Sequence, residues 1–500
     1  MIQRRDSAAR IAVLLSLLTA MFSWSISSPP LATPDERVHL SSIWCSPVSI
    51  HQTCVDREFD SQSWVTTGSP RYRPAHCYFR KSFLPASCVE SEPYSEQVQV
   101  LREGTYYLAG FQNVMNLFVG TNGEVSTFRI RTFNGLLFAV VMLTVFFYGS
   151  RQLATSVLYG VALTMVPFAL WLIASPNPSS WSITGVFGFW ASLVWLVEQF
   201  RQRAFSRSRA QLFRPVFVGS TSLLMAGTSR IDSLIMIGIV LVVTLAIDSQ
   251  KRLSCRGRTV AVMLMIPLVG ISFMKITSSV AKRREILGDL TPVDLSSQPD
   301  GWTWASNWLT HFPAVFLDAY GVQGLGENDI RIPSYVFVTT IFVLGASLAF
   351  ASIKSSRGQL VTAVLLLFSF VCMLWFASFE MDLYNVPGRY VMPLFPVIVG
   401  TYIYYSRSEP QFFDVLRLRH IAIGMLGIAN AVSLYAVVER YSAGSSAGLR
   451  VIPVRFDEWW WDFLPIGPNG VVVIGSVSWV VFLVYAFRLL DQRKLQEANA

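Results

Sequence analysis

Carboxylates and an imidazole follow the first apolar run of the sequence. Residues 29–40 read Pro-Pro-Leu-Ala-Thr-Pro-Asp-Glu-Arg-Val-His-Leu, so Asp35 and His39 stand four residues apart. If a helix begins at Pro34, the two side chains share one face. A carboxylate assisted by an imidazole can accept a proton from a hydroxyl group, whereas Asp35 and Glu36 could simply favour the dipole of the first helical turn. Both interpretations stay open, with Asp35, Glu36 and His39 as candidate catalytic residues.

Two arginines stand beside carboxylates at the ends of later apolar runs. Arg230 lies two residues before Asp232, and Arg389 follows Asp382 and directly precedes Tyr390. A guanidinium group suits phosphate, and a helix N-terminus also attracts anions. Pairing with the neighbouring carboxylates is the structural alternative. We predict that Arg230, Arg389 and Tyr390 bind a phosphate group. The two aspartates are candidate substrate-binding residues.

A glycine-rich segment carries the remaining polar candidates. Residues 317–329 contain three glycines beside Glu327 and Asp329. Because glycine permits tight turns, the segment suits a loop that binds a sugar or a metal, and a plain surface turn equally well. The acidic spacing does not match an EF-hand. Glu327 and Asp329 are therefore candidate substrate-binding residues, and the identity of any metal stays open.

The elements that must hold these residues are apolar runs of roughly 17–22 residues, enough to cross a membrane as a helix. The 500 residues are 52% hydrophobic and 14% charged, whereas soluble domains carry about 25% charged residues. We predict an all-α polytopic membrane protein with about 12 transmembrane helices. The predicted spans lie near 10–27, 133–149, 153–174, 182–199, 212–228, 232–247, 259–275, 333–351, 359–378, 390–405, 420–438 and 471–489.

The basic residues predict the orientation of the chain. Lys and Arg recur in alternate loops, which is the positive-inside pattern of a plasma membrane protein. The net charge of +9 therefore indicates topology and contact with lipid headgroups, not nucleic acid. Both termini are expected in the cytoplasm. The expected parts are a first helix (1–27), an outer loop with the Asp35 motif (28–132), helices two to seven (133–275), an outer loop with an interfacial helix (276–332), helices eight to eleven (333–438), an outer Trp-rich loop (439–470), and the last helix with its tail (471–500).

Four cysteines lie in the first outer loop: Cys45, Cys54, Cys77 and Cys88. Outside the cytoplasm, four cysteines suggest two disulfides, for which the sequence allows three connectivities. We favour Cys45–Cys54 and Cys77–Cys88 because closing a short loop costs less entropy. A zinc site with nearby histidines is the alternative, although the spacing fits no familiar zinc pattern.

The order of the motifs resembles a known family. The sequence carries Pro-Asp-Glu-x-x-His after the first helix, a Ser-Arg-x-Asp turn, a Gly-x-x-Gly-x-Gly loop, and Gly-Arg-Tyr-x-x-Pro-Leu-x-Pro before a late helix. This set resembles a bacterial family of polytopic membrane proteins that is similar in organisation to the GT-C superfamily of glycosyltransferases. The resemblance implies a polyprenyl-phosphate-linked sugar as donor and an acidic catalytic residue on the outer face. Asp35 matches that position, with Glu36 as a close rival.

The resemblance therefore leads to an inverting glycosyltransferase of the bacterial plasma membrane. It would pass a sugar to an envelope glycan or another acceptor, with Asp35 as general base. Some GT-C members use a divalent cation and others do not, so this point stays open. The four cysteines depart from the family pattern and leave the acceptor open. The alternatives are a transporter or lipid-linked glycan flippase, and a non-catalytic scaffold of envelope polysaccharide assembly.

Overall fold

The computed structural model describes residues 2–46, 55–57, 64–66, 72–99 except 80 and 96, 109–201 except 166 and 167, 209–249, 388–405, 416–444 and 459–498, with isolated positions between 325 and 345. The predicted spans near 259–275 and 359–378, and most of the span near 333–351, lie outside the described residues. So do most of the 276–332 segment with its interfacial helix, and the candidates Glu327, Asp329 and Asp382.

The described residues are mostly helical, as the sequence predicts. The helices are α1 (Ile2–Ile26), α2 (Glu36–Trp44), α3 (Ala109–Asn116), α4 (Gly123–Tyr148), α5 (Arg151–Thr164), α6 (Phe168–Ile173), α7 (Ser179–Arg201), α8 (Arg209–Ser229), α9 (Ile231–Ser249), α10 (Leu394–Tyr405), α11 (Leu416–Ser442) and α12 (Pro468–Ala498). Within the described ranges, five helices are long and apolar enough to cross a membrane: α1, α4, α7, α11 and α12. Two shorter apolar helices are Ile231–Leu245 and Leu394–Tyr405.

The start of α4 and the predicted span 153–174 differ between sequence and structure. α4 begins at Gly123, well before the predicted residue 133, because the Asn122 side chain accepts hydrogen bonds from the backbone N–H groups of Glu124 and Val125. Such an N-cap satisfies donors that a helix start would otherwise leave free. The predicted span 153–174 is divided between α5 and α6. The chain thus gains polar helical residues at the start of α4.

The bundle is held by close helix contacts. α1 packs along α12 and α4, α7 along α8, and α5 along α10. At the α7–α8 contact, a Cβ atom on Gly185 would lie 2.6 Å from the backbone oxygen of Ser222. A side chain at residue 185 would therefore push the two helices apart. Small residues let helix backbones approach closely in this way, which favours packing in lipid.

The segment between α2 and α3 contains a small sheet that the sequence analysis did not predict. Strands β1 (Val55–Arg57), β2 (Trp64–Thr66) and β3 (Gln97–Gln99) pair antiparallel in the order β1-β2-β3. The predicted Cys77–Cys88 disulfide is confirmed, with the Cα atoms 6.0 Å apart. Cys45 is also disulfide-bonded, and its predicted partner Cys54 lies outside the described residues. Two short 3-10 helices, Ala75–Cys77 and Ala86–Ser91, carry the confirmed pair.

The chain around the Cys77–Cys88 disulfide, between Tyr72 and Ser95, is called the disulfide-bearing segment, and it is hydrogen-bonded to the end of α11. The buried guanidinium group of Arg440 donates to the backbone oxygens of Leu84 at 2.9 Å, Tyr78 at 3.0 Å and Lys81 at 3.2 Å. Hydrogen bonds from a charged donor are stronger than neutral ones. These contacts hold Tyr78, Lys81 and Leu84 against the bundle, next to the chain that leaves α1.

Candidate active site

The chain between α1 and α2, residues 28–35, is called the helix-exit segment. Side chains from distant parts of the sequence bind its backbone oxygens. Arg131 donates hydrogen bonds to the oxygens of Ser28 and Pro29, and Tyr78 donates one to that of Pro30. Tyr441 and Asn177 donate to the oxygens of Ala32 and Pro34 in the same way, and all these distances lie between 2.6 and 3.0 Å. Because buried carbonyl groups need donors, this network of hydrogen bonds fixes the path of the segment and so the position of Asp35.

Burial raises the pKa of Tyr78 well above its ordinary value, with Tyr441 and Glu36 acting in the same direction. The phenol therefore keeps its proton and remains a donor to the oxygen of Pro30, 2.6 Å away. The same residue offers its own backbone oxygen to Arg440. Tyr78 thus links the helix-exit segment to α11 and to the disulfide-bearing segment.

Glu36 forms a buried pair with Arg131 of α4. Both side chains are fully inaccessible to solvent, and the Arg131 Nη2 atom lies 2.5 Å from the Glu36 Oε2 atom. A second contact joins Arg131 Nε to Glu36 Oε1 at 2.9 Å, and the backbone N–H of Thr33 donates to Oε2 at 2.8 Å. A planar guanidinium suits such two-point binding. The Glu36 carboxylate thereby accepts three hydrogen bonds and is closed to solvent.

Asp35 differs from Glu36 in both backbone conformation and exposure. Its φ of 55° and ψ of 13° put it in the left-handed region, which Asp tolerates better than most residues. Leu31 also has a positive φ, 71°, a genuinely unfavourable state for a bulky side chain. Asp35 keeps 28% of its side-chain surface exposed and lines a cavity of about 310 Å³ with Thr33, Arg37 and Tyr441. The strained segment therefore presents one carboxylate to open space.

Arg389 meets Asp35 from the far end of the chain. Its Nη2 atom lies 2.5 Å from the Asp35 Oδ2 atom, and 17% of the arginine side chain is exposed. Arg389 lies in a short 3-10 helix, Gly388–Tyr390, just before α10. The pair is accessible enough that a substrate can reach it, and an arginine with five N–H donors can bind a second anion while it holds the first.

Tyr390 joins the two predicted phosphate-binding arginines. The guanidinium carbon of Arg230 lies 4.2 Å from the centre of the Tyr390 ring, and that of Arg389 lies 5.7 Å from it. These are cation–π distances. Arg230 itself is buried and forms a two-point pair with Asp232, with Nη2 2.7 Å from Oδ2. In this structure Arg230 therefore ties the turn between α8 and α9, and Arg389 is the more accessible cation.

His39 lies on α2 close to these charges. Burial lowers the pKa of His39 from 6.5 to about 4; the carboxylate of Asp35 opposes this change, and Arg389 and Arg230 add to it. The imidazole is therefore neutral at neutral pH. A neutral ring beside Asp35 can orient a carboxylate but supplies no extra positive charge.

The depressed pKa of His39 predicts a loss of stability in acid. Below pH 6.5 His39 becomes protonated in the unfolded chain, whereas in the folded chain it stays neutral down to about pH 4. The contribution of His39 to the free energy of unfolding is therefore fully present above pH 6.5 and declines as the pH falls. Between about pH 7.5 and about pH 5 we expect a decline of about 2 kcal/mol from this residue. In His39→Gln, the free energy of unfolding, measured by chemical denaturation in detergent, should decline by about 2 kcal/mol less over this pH range. An equal decline in both proteins would contradict the assignment.

The structure brings together three of the sequence clusters. Asp35, Arg389, Tyr390, Arg230 and Asp232 form one connected chain of contacts, although their numbers span most of the sequence. Glu36 and His39 flank it from α2. Among the described residues, no group of three or more His, Cys, Asp or Glu side chains could hold a metal ion.

Sequence reasoning missed Arg131, which completes the support of the site. It lay in the predicted outer loop, ahead of the predicted span from residue 133. A signal was present, because Thr33-x-x-Glu36 has the spacing of a capping box, and half of that box forms through the Thr33 N–H and Glu36. This spacing could have marked Glu36 as a structural carboxylate that needs a buried cation.

Comparison with known proteins places the chain in a family. A model of the family described as "Predicted membrane protein (DUF2142)" matches residues 18–398, which is more than half of the chain. The matched range begins in α1 and includes Asp35, Arg131, Arg230 and Arg389. No curated protein and no solved structure matches significantly. With its apolar helices and this match, the chain is a membrane protein that belongs to the DUF2142 family.

Proposed function

We propose that the protein is an inverting glycosyltransferase that uses a polyprenyl-phosphate-linked sugar, with Asp35 as general base. The observation that carries this proposal is the accessible ion pair between Asp35 and Arg389 at the end of an apolar bundle. Asp35 also lines a cavity of about 310 Å³. The pair sets a carboxylate beside a cation where a lipid-linked substrate could present both its sugar and its phosphate. The position of an acidic residue just after the first helix, which is also where GT-C enzymes carry their catalytic carboxylate, supports the same proposal.

The charges at the two ends of the bundle support an outward-facing site. At the end opposite Asp35, Arg493 donates to the backbone oxygen of Phe147, Arg10 lies 5.9 Å from the Phe147 ring centre, and Arg419 pairs with Asp491. α1 begins and α12 finishes at that end. By the positive-inside rule the basic end faces the cytoplasm, so the proposal puts both chain ends there and Asp35 on the outer side of the bacterial plasma membrane.

The surface of the bundle suits a lipid substrate. Along α8, the side chains of Phe213, Phe217 and Leu224 are more than half exposed. Exposed apolar residues on several helices indicate that the bundle is surrounded by the hydrocarbon of a membrane rather than by water. A prenyl tail can therefore stay in the membrane while its phosphate and sugar reach Arg389 and Asp35 at the interface.

In the proposed reaction, Asp35 and Arg389 have separate roles. A hydroxyl oxygen of the acceptor attacks the anomeric carbon, the bond from that carbon to the phosphate oxygen breaks, and polyprenyl phosphate leaves with the electron pair. Asp35 accepts the hydroxyl proton. Arg389 binds the phosphate and stabilises its growing negative charge. As Arg389 turns toward the phosphate, it releases the Asp35 carboxylate, which is then free to meet the acceptor hydroxyl when the donor is bound.

The positions of ionisable groups argue against the alternatives. In the described helices, most charged residues lie toward helix ends, and Arg131 inside α4 is paired with Glu36. Ion-coupled transporters instead bind their ions near the midplane. A scaffold without a reaction would leave the motifs apart in space. Their contact from Asp35 to Asp232 is instead what a shared site requires.

A transfer assay tests the proposal. The full chain in lipid nanodiscs would be given a panel of polyprenyl-phosphate-linked hexoses with envelope glycan extract, and both labelled glycan and released polyprenyl phosphate would be measured. We expect transfer from at least one donor, and Arg389→Met should lower kcat/KM by about 10- to 100-fold because a charged hydrogen bond to phosphate is lost. Arg419→Met, which removes the arginine of a similar pair at the opposite end, should leave transfer unchanged. No transfer from any donor, or equal effects of the two substitutions, would contradict the proposal.

A further inference from the structure

A second cavity lies behind the helix-exit segment, away from Asp35. It is lined by residues of the disulfide-bearing segment, by the start of α4 and by the chain before α12. Leu31 and Tyr78 line both this cavity and the one that holds Asp35. The two cavities are therefore neighbours on either side of one strained stretch of backbone. We name the second one the tryptophan cavity, after Trp44, Trp459 and Trp460 in its wall.

The tryptophan cavity collects buried hydrogen-bond donors that have no acceptor. Among the described residues, the indole N–H groups of Trp44, Trp459 and Trp460 and the Nε–H of Arg73 lack a partner. Trp44 is only 3% exposed. A buried donor without an acceptor costs about 1–3 kcal/mol, so four of them around one cavity are an unusual concentration. They point to a ligand that brings acceptors with it.

The same cavity contains acceptors and flat apolar faces. Glu90, Glu124 and Asp462 line it with carboxylate oxygens. Its aromatic rings form two contacts, Trp459 to Trp460 at 4.5 Å and Trp44 to Tyr72 at 5.0 Å between ring centres. Arg73 lies over the Tyr94 ring at 4.8 Å. Three carboxylates against one arginine disfavour a phosphate or another anion, and a simple cation offers nothing to the N–H donors.

We propose that the tryptophan cavity binds a neutral saccharide. Each hydroxyl group of a sugar both accepts and donates hydrogen bonds, so one ring can satisfy the indole donors and the carboxylate acceptors together. The apolar face of a sugar ring can cover an exposed indole. Because the cavity adjoins that of Asp35, the saccharide would be the acceptor glycan, and this assignment rests on the proposed function. Saccharide binding itself does not depend on the proposed function.

Binding can be measured without any lipid-linked donor, so failure of the transfer reaction would leave this test unaffected. The full chain in nanodiscs would be titrated with maltose, cellobiose, mannobiose and a disaccharide that contains a uronic acid, with saturation-transfer NMR as the readout. We expect at least one neutral disaccharide to bind. Trp44→Phe, which keeps an aromatic ring but loses the N–H group, should raise its Kd about tenfold.

Two further variants separate binding from folding. Asp462 is exposed, so Asp462→Asn should not disturb packing and should also raise the Kd. Within the described part of the chain, the buried indole N–H of Trp479 on α12 also has no acceptor, but Trp479 does not line the cavity. Trp479→Phe should therefore leave the Kd unchanged. Absence of binding by every neutral disaccharide, stronger binding of the uronic acid sugar, or equal Kd values in Trp44→Phe, Asp462→Asn and the unmodified protein would overturn the proposal.

Discussion

Asp35→Asn should abolish sugar transfer while the protein stays folded. The amide has nearly the same shape as the carboxylate and can still accept a hydrogen bond from Arg389, but it cannot take the proton of the acceptor hydroxyl. General-base catalysis contributes about 100- to 10,000-fold to a rate, so we expect kcat to decline by at least about 100-fold. The donor should still bind, because Arg389 remains. The measurement is labelled glycan formed per minute under saturating donor.

A matched variant makes this result specific. Asp491 also pairs with an arginine, Arg419, at the opposite end of the bundle, and Asp491→Asn changes the same chemical group there. Transfer should be unaffected. If Asp35→Asn retains full activity with Glu36 intact, Asp35 is not the base, and the accessible carboxylate of the site must have another role.

Arg131→Met should have the largest effect on stability. The substitution leaves the fully buried Glu36 carboxylate without its cation and removes the donor to the Ser28 and Pro29 oxygens. Breaking a buried ion pair by removing one partner costs about 3–5 kcal/mol. We expect a loss of that size in the free energy of unfolding, measured by chemical denaturation of the protein in detergent. Transfer activity should decline as well, since the helix-exit segment loses its main anchor.

The control and the double variant show where this cost comes from. Arg129, on the same helix, is exposed, and Arg129→Met should change stability by less than about 0.5 kcal/mol. In Arg131→Met with Glu36→Gln, the buried charge is gone from both sides, so the loss should be clearly smaller than the sum of the two single effects. Additive effects would mean that the two side chains do not act as one pair.

Sequence patterning predicted the elements better than it predicted their roles. Helical length and hydropathy gave α1, α4, α7, α11 and α12, and the short-loop argument gave the Cys77–Cys88 disulfide. These depend on local composition, which a sequence displays directly. The three-residue strands were not predicted, because segments that short have no detectable alternation.

The candidate site shows the same division. Asp35, Arg230 and Arg389 were identified from residue type and position at helix ends, and their contact in space agrees with a common site. The sequence could not distinguish Asp35 from Glu36, because adjacent carboxylates look alike in a sequence. The structure distinguishes them, since Glu36 is buried against Arg131 and Asp35 is not. The tryptophan cavity was equally out of reach, since its walls come from segments near residues 44, 73, 124 and 460.

The hydrogen bonds of the helix-exit segment have a consequence for biosynthesis. Ribosomes and insertion machinery deliver α1 first. The donors that bind the helix-exit segment come later in the chain: Tyr78, Arg131, Asn177 and Tyr441. The last of them, Tyr441, arrives with α11. Asp35 therefore emerges early but acquires its final geometry only when nearly the whole chain has been inserted. A nascent or truncated chain would hold an anchored first helix with an unformed site, so the site can become competent only in a protein whose synthesis is almost complete.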